Sequence, residues 1–198
     1  MKKYSGFTEA TANKLLLNAG AFFKNFTVGT DTFDSAVTAG KLIGATKGGG
    51  EFSAVPEVRQ IEVDGVAGRA KGLEIIDSWE TYLKASVLEV KDSTILLALG
   101  AGTKIASTIA TTYDEITADA SIELSDYVEN ITWVGTLSGS NEPVIIQVYN
   151  AINTDGLKLT VQDKNEASME MTFYGHYTQA DLNSAPFKIY YPKETTTT

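Results

Sequence analysis

Gly44–Val90, GATKGGGEFSAVPEVRQIEVDGVAGRAKGLEIIDSWETYLKASVLEV, decides the fold. From Trp79 the residues Trp79, Thr81, Leu83, Ala85 and Val87 alternate with Glu80, Tyr82, Lys84 and Ser86, the period of a strand with one buried face. Upstream, Phe52, Ala54, Pro56 and Val58 share one phase and Ile61 and Val63 the other, so a bulge or two covered faces is expected between Phe52 and Val63. Pro56 has no N–H to give a ladder, which assigns this run to a sheet edge. Gly48-Gly49-Gly50 reads as a flexible lead-in. Between the two runs, Asp64 to Ser78 forms a glycine-punctuated excursion, long for a hairpin loop, and loops of that length commonly bind something. Its candidate functional residues are Asp64, Gly65, Val66, Gly68, Arg69, Lys71 and Gly72.

Outside this stretch the chain alternates mostly at the strand period. Residues 8–16 fit a helix capped by Thr8, but Leu15, Leu17, Ala19, Ala21 and Phe23 fit a strand, and a strand over Leu15–Phe26 is favoured because Gly20 weakens a helix. Asp34 is placed to cap one short helical turn before Gly40. The best helix signal follows Val90: Asp92 or Ser93 as cap, Ile95, Leu96 and Leu99 as an apolar stripe, Gly100 as the stop. Lys104–Ala120 has no clear period and reads as strand or loop. Runs over Ile131–Leu137, Val144–Val148, Leu157–Val161, Met169–Tyr177 and Phe187–Tyr191 are separated by turn residues and read as an antiparallel meander. The fold class expected is therefore mainly β, a two-sheet antiparallel sandwich or barrel with one short α-helix. One domain is expected over 1–192, followed by a flexible Thr-rich tail over 193–198.

Composition narrows the function classes. The 198 residues contain no cysteine, which removes disulfides, thiolate chemistry and sulfur-ligated metals. The net charge is −9, with 16 basic residues scattered against 25 acidic ones, so no concentrated basic face exists for tight nucleic-acid binding. No apolar run reaches the ~18 residues of a membrane span, and Met1-Lys2-Lys3 is not followed by the apolar block of a secretory signal, so synthesis in the cytoplasm is expected.

The motifs tested fail on spacing. Gly44-Ala-Thr-Lys-Gly-Gly-Gly lacks the Lys-Ser/Thr pair that a phosphate loop needs after its last glycine, and Gly100-Ala-Gly102 follows a helix rather than a strand. His176 is the only histidine and reads as a surface or interface residue. Asp163, Asn165 and Glu166 lack the glycine and terminal acid of a calcium loop and read as a hairpin turn. No nucleophile–base pair or metal set can be assembled, so no catalysis, cofactor or metal is expected.

An ordered set of segments carries a resemblance. LLLNAGAFFKNF (15–26), LIGATKGGGEFSAVPEVRQIEVDG (42–65), AKGLEI (70–75), SWETYLKASVLEV (78–90), DYVENITWVGTL (126–137), MEMTFYGHYT (169–178) and APFKIYYP (185–192) together resemble the major tail (tail tube) proteins of long, non-contractile-tailed bacteriophages of Gram-positive hosts. The resemblance implies a sandwich with a helix at its side, six copies joined edge to edge in a ring, and rings stacked into a tube. Edge pairing between copies satisfies backbone groups that a free edge exposes, and a rotation that closes gives a ring. The Asp64–Ser78 excursion becomes the arm that reaches the next ring. The implied partners are further copies, a tape-measure protein and other tail proteins, with DNA sliding past an acidic lumen. The implied location is the virion tail. Two other readings stay open: a tube subunit of a phage-derived contractile particle, and a monomeric sandwich that binds a ligand such as carbohydrate through exposed Trp or Tyr. Trp79 and Trp133 both lie on the apolar phase of their strands and read as core.

Overall fold

The computed structural model describes residues 5–193. In chain order these form β1 Ala21–Lys24, α1 Phe33–Thr38, β2 Thr46–Gln60, β3 Glu74–Val87, α2 Asp92–Leu99, β4 Gly102–Ala106, β5 Asp114–Ala118, β6 Val128–Gly135, β7 Val144–Asn153, β8 Lys158–Thr160, β9 Ser168–Tyr174 and β10 Phe187–Tyr190. Short 3-10 turns lie at Glu9–Asn13 and Leu124–Asp126. Of the tail expected over 193–198 only Lys193 is described, and Met1 to Tyr4, where a signal would begin, also lie outside the described residues.

Eight strands form one antiparallel path, β1-β6-β7-β9-β3-β2, with β10 added to β7 and β8 to β9. The path folds over at β7. Ile145 to Val148 pair with β10, Ile152 and Asn153 pair with β9, and between them Asn150 takes a left-handed φ of 48° that turns the strand. The main core fills the space between the two layers: Phe22, Ile131 and Val148 from one, Leu83, Ala85, Met171 and Phe173 from the other. The ends of the path approach without pairing. The Phe22 ring lies against Gly50, where a Cβ would come within 2.3 Å of it, and the free side of β1 is bonded instead by Lys41 to Ile43. The result is a mainly β sandwich, and no closed barrel.

The outer face of β6 is covered too. Phe23, Phe26 and Ala36 form a second cluster, joined by Val134 and Ile145 and closed by the Phe33 ring edge-on to Phe23 at 5.7 Å. Covering both faces buries Asn130, Ile131 and Thr132 consecutively, so polar groups must be paired inside. Gln147 Nε2 donates to Phe26 O at 2.8 Å and Thr132 Oγ1 at 2.9 Å, while Asn130 Oδ1 accepts from Phe26 N and Thr132 Oγ1.

Several expectations are corrected. The strand over Leu15–Phe26 shrinks to Ala21–Lys24, because left-handed Gly20 and Asn25 break it at both ends; Leu16 retains one bridge to Leu137. Thr8 caps a 3-10 turn and not an α-helix. There are two α-helices among the described residues, not one: α1 is capped by Thr32, which exchanges hydrogen bonds with Ser35, while Asp34 lies inside its first turn. On α2 the buried face is Thr94 and Ala98, with Thr94 Oγ1 accepting from Lys91 N at 2.8 Å, and the expected stripe of Ile95, Leu96 and Leu99 is only half-covered. Gly100 ends α2 as expected, at φ 76° and against Asn153 O. Residues 102–118, without period in the sequence, are a hairpin, β4 on β5. The meander holds only for the hairpins β6–β7 and β8–β9: β9 pairs with β7 and β3, and β10 returns to β7.

Candidate functional site

The β2–β3 hairpin has two halves. β9 pairs with β3 only from Tyr82 to Val87, so the outer half, Pro56–Gln60 against Glu74–Trp79, projects as a two-stranded ribbon. Ribbons of that kind are marginal alone and need cross-strand contacts. Here Arg59 meets Asp77 through two hydrogen bonds of 2.9 and 3.2 Å, which raise the Arg59 pKa, and Ser78 Oγ donates to Glu57 at 2.9 Å. The expected bulge lies at Glu57/Val58, but the inserted residue is Asp77, on β3. A second irregularity opposite Ser86 takes in Gly48 and Gly49, which are part of β2 rather than a flexible lead-in. Tyr177 Oη accepts the Trp79 N–H at 2.9 Å where β9 has already ended.

The excursion is shorter than expected because β3 begins at Glu74: the loop runs over 61–73, closed by Ile61 N to Leu73 O at 2.7 Å. All seven predicted residues, Asp64, Gly65, Val66, Gly68, Arg69, Lys71 and Gly72, lie together in it and are exposed. Gly65, Gly68 and Gly72 have φ of 86°, 112° and 91° with open space around them, so glycine is needed for the backbone and not for room. Gln60 Nε2 donates to Gly68 O at 3.0 Å and folds the loop back on the ribbon. The 61–73 loop carries Glu62 and Asp64 against Arg69 and Lys71, and Arg69 Nε lies 3.8 Å from Glu74 Oε1, so its charges balance. Val58, Val63, Val66, Ile75 and Ile76 leave apolar surface in water along the same arm.

Two features of this surface invite a partner. β2 ends the strand path, and among the described residues nothing pairs with its far edge, which leaves backbone groups along a 15-residue strand open to another chain. The exposed aliphatic side chains of the arm have no core of their own to join.

Elsewhere, an open groove of about 950 Å³ runs over the outer face of β1, β6 and β7, with Phe23, Phe26 and Phe33 at its base and Tyr190 and Tyr191 beside it. Tyr149 sits next to this end, its hydroxyl donating to Gln147 Oε1 at 3.0 Å; burial first, then Tyr190, pushes its phenol well above the usual range. Trp133 is half-buried, with Nε1 donating to Ala19 O at 2.7 Å, and Trp79 is half-buried with its ring edge-on to Phe187 at 5.8 Å. His176 is neither loose nor on a strand. Its Nδ1 donates to Asn150 O at 3.1 Å and its N–H to Tyr149 O, and Tyr127 packs edge-on, so it braces the bend of β7. Asp163, Asn165 and Glu166 lie around a tight turn with left-handed Lys164, and Glu166 pairs with Lys47 at 3.0 Å. The β4–β5 hairpin was missed as a surface feature: its apex holds Ile109, 93% exposed, and Tyr113. The run Ile105–Ile109 with Tyr113 was its only signal in the sequence.

No protein-family model matches this chain, and no curated protein matches it.

Proposed function

We propose that this chain is a structural subunit that assembles with its own copies, a tail tube protein whose rings, of six by the resemblance, stack into the conduit of a long non-contractile phage tail. The observation that carries the reading is the β2–β3 hairpin, half of which leaves the core with apolar side chains exposed and an unpaired edge alongside. The ordered resemblance of segments from Leu15 to Pro192 supports the same reading. The role is architectural and not catalytic. In it the subunit is made in the host cytoplasm, joins further copies, a tape-measure protein and other tail proteins, and resides in the virion. The net charge of −9 suits a wall past which DNA slides. Among the described residues no helix is long and apolar enough to cross a membrane.

Negative-stain electron microscopy of the purified protein, concentrated and incubated for days, tests this. Rings or hollow tubes of uniform width are expected. A chain that stays monomeric throughout and binds a glycan on an array overturns the proposal in favour of a binding module. The groove beside Tyr190 and Tyr191 is the observation that favours that second reading. The same subunit inside a contractile sheath is distinguished by a sheath protein encoded with it.

A further inference from the structure

On the face of β7 and β10 turned away from the main core, two phenols point at each other. Tyr149 stands on β7 and Tyr190 on β10, and their hydroxyl oxygens lie 3.5 Å apart. The direction of the bonding is fixed from below. Gln147 is buried, and its Nε2 donates to Phe26 O and Thr132 Oγ1, so its Oε1 is left to accept, which it does from the Tyr149 hydroxyl at 3.0 Å. Having given up its one proton, Tyr149 Oη faces Tyr190 as an acceptor. A buried side chain thus holds one ring in place for the other.

Such proximity matters when phenols are oxidised. A phenol that loses an electron and its proton carries the unpaired electron partly on the two ring carbons beside its oxygen. Two such radicals join by a bond between one of these carbons on each ring, and the displaced ring hydrogens move to the oxygens. In all, the pair gives up two electrons and two protons, and hydrogen peroxide acting through a peroxidase takes them up, each peroxide becoming two waters. Tyr190 is 37% exposed, so water meets it directly. Tyr82 and Tyr174 form the contrast. Their ring centres are 5.9 Å apart, but Tyr82 donates to Glu51 at 2.8 Å and Tyr174 to Asp155 at 3.3 Å, each hydroxyl tied to a carboxylate of its own.

We infer that Tyr149 and Tyr190 are an oxidative cross-linking site, at which peroxide-driven one-electron oxidation joins the two rings as dityrosine within one chain. Among the described strands β10 pairs with β7 alone, over four residues, and the described chain ends soon after it at Lys193. The new bond closes a loop between residues 41 apart in sequence, which restricts the unfolded chain and pins this last strand to the sheet. It needs one subunit only and stands apart from the proposed assembly.

The test treats the full-length chain, dilute enough to stay monomeric, with hydrogen peroxide and a peroxidase until exposed Tyr113 is oxidised, which shows that the oxidant has acted. Expected are dityrosine fluorescence in the monomer, a chain lighter by two hydrogens, and fragment masses that join Tyr149 to Tyr190. The fluorescence falls about tenfold in Tyr149→Phe and in Tyr190→Phe, as loss of an intramolecular partner requires, and persists in Tyr82→Phe and Tyr191→Phe. Tyr190→Phe keeps its urea midpoint before treatment, so the loss there is chemical and not unfolding. The bridged chain unfolds at a higher urea midpoint than the same chain given peroxidase without peroxide. Oxidised Tyr113 without the bridge overturns the inference, as does fluorescence confined to cross-linked dimers or undiminished in Tyr190→Phe. A bridge that leaves the midpoint unmoved overturns the pinning of β10.

Discussion

Within one strand, β3, the two halves live under different physics. From Thr81 to Val87 every second side chain is buried and the backbone is paired on both sides, by β2 and β9. From Glu74 to Asp77 all side chains are exposed and only β2 pairs with it. The inner half is held by packing; the outer half is held by a ladder, a bidentate ion pair and a glycine loop folded on itself. Regular structure and a hydrophobic core are therefore separable along a single strand, and a segment that keeps the first without the second is free to serve another molecule.

The contrast can be broken most strongly from inside. Leu83→Ala removes a fully buried side chain between the layers and is expected to cost about 2–5 kcal/mol, read as a lowered midpoint in urea denaturation. Ile76→Ala, on the ribbon beyond the core, is expected to cost less than about 0.5 kcal/mol in the same assay while reducing assembly followed by sedimentation. Equal losses of stability at the two positions would show that the ribbon is part of the folding unit after all. Deleting Gly65 to Gly72 sharpens the point: the unfolding midpoint stays close to wild type and rings no longer stack, whereas normal tubes from this deletion refute the arm.

Smaller effects come from charge. Glu89, bonded to Lys91 and to the Ala45 N–H, and Asp92, bonded to Lys104 and the Ser93 N–H, have pKa values held below the ordinary 4.5 and 3.8; Asp31, held by Lys41 at 2.5 Å and by Thr27 N, is lowered likewise. A lowered carboxylate favours the folded state while ionised. Its contribution is complete above the unfolded pKa and fades as pH falls through the folded one. Thermal melting should thus be flat around neutrality and drop between about pH 5 and pH 2. Amide exchange should quicken first where these carboxylates fasten α2 and the loop after β1, and a drop confined to the arm would contradict it. The least effect is expected from Arg59→Ala, which opens an exposed pair in the ribbon and leaves the denaturation midpoint unmoved, a null result that double substitution with Asp77→Ala should reproduce.

The long strands and the edge were legible because Trp79–Val87 has one wet face and Pro56 excludes a central place. The loop holding Asp64 to Gly72 was legible as a loop because Gly65, Gly68 and Gly72, all left-handed, announce a turn by residue type. Other parts were hidden for identifiable reasons. β6 is covered on both faces, so its alternation carried no information about which side was core. The β4–β5 hairpin has almost no buried face, so its side chains follow no period at all. Strand order was out of reach: β10 returns to β7 because Phe187 packs between Phe52 and Trp79, a contact among residues distant in sequence. His176 was read by residue type alone, while its role comes from the Asn150 carbonyl that the bend of β7 turns toward it.

That bend has a mechanical consequence. In a sandwich whose layers touch only through side chains, a shearing load slides one sheet over the other and is resisted by packing. Here β7 belongs to both layers, so a pull on one is transmitted to the other through an unbroken main chain, stiffened at the crossing by a histidine clamp. The chain then deforms as one elastic body, a property that would suit the wall of the proposed tube.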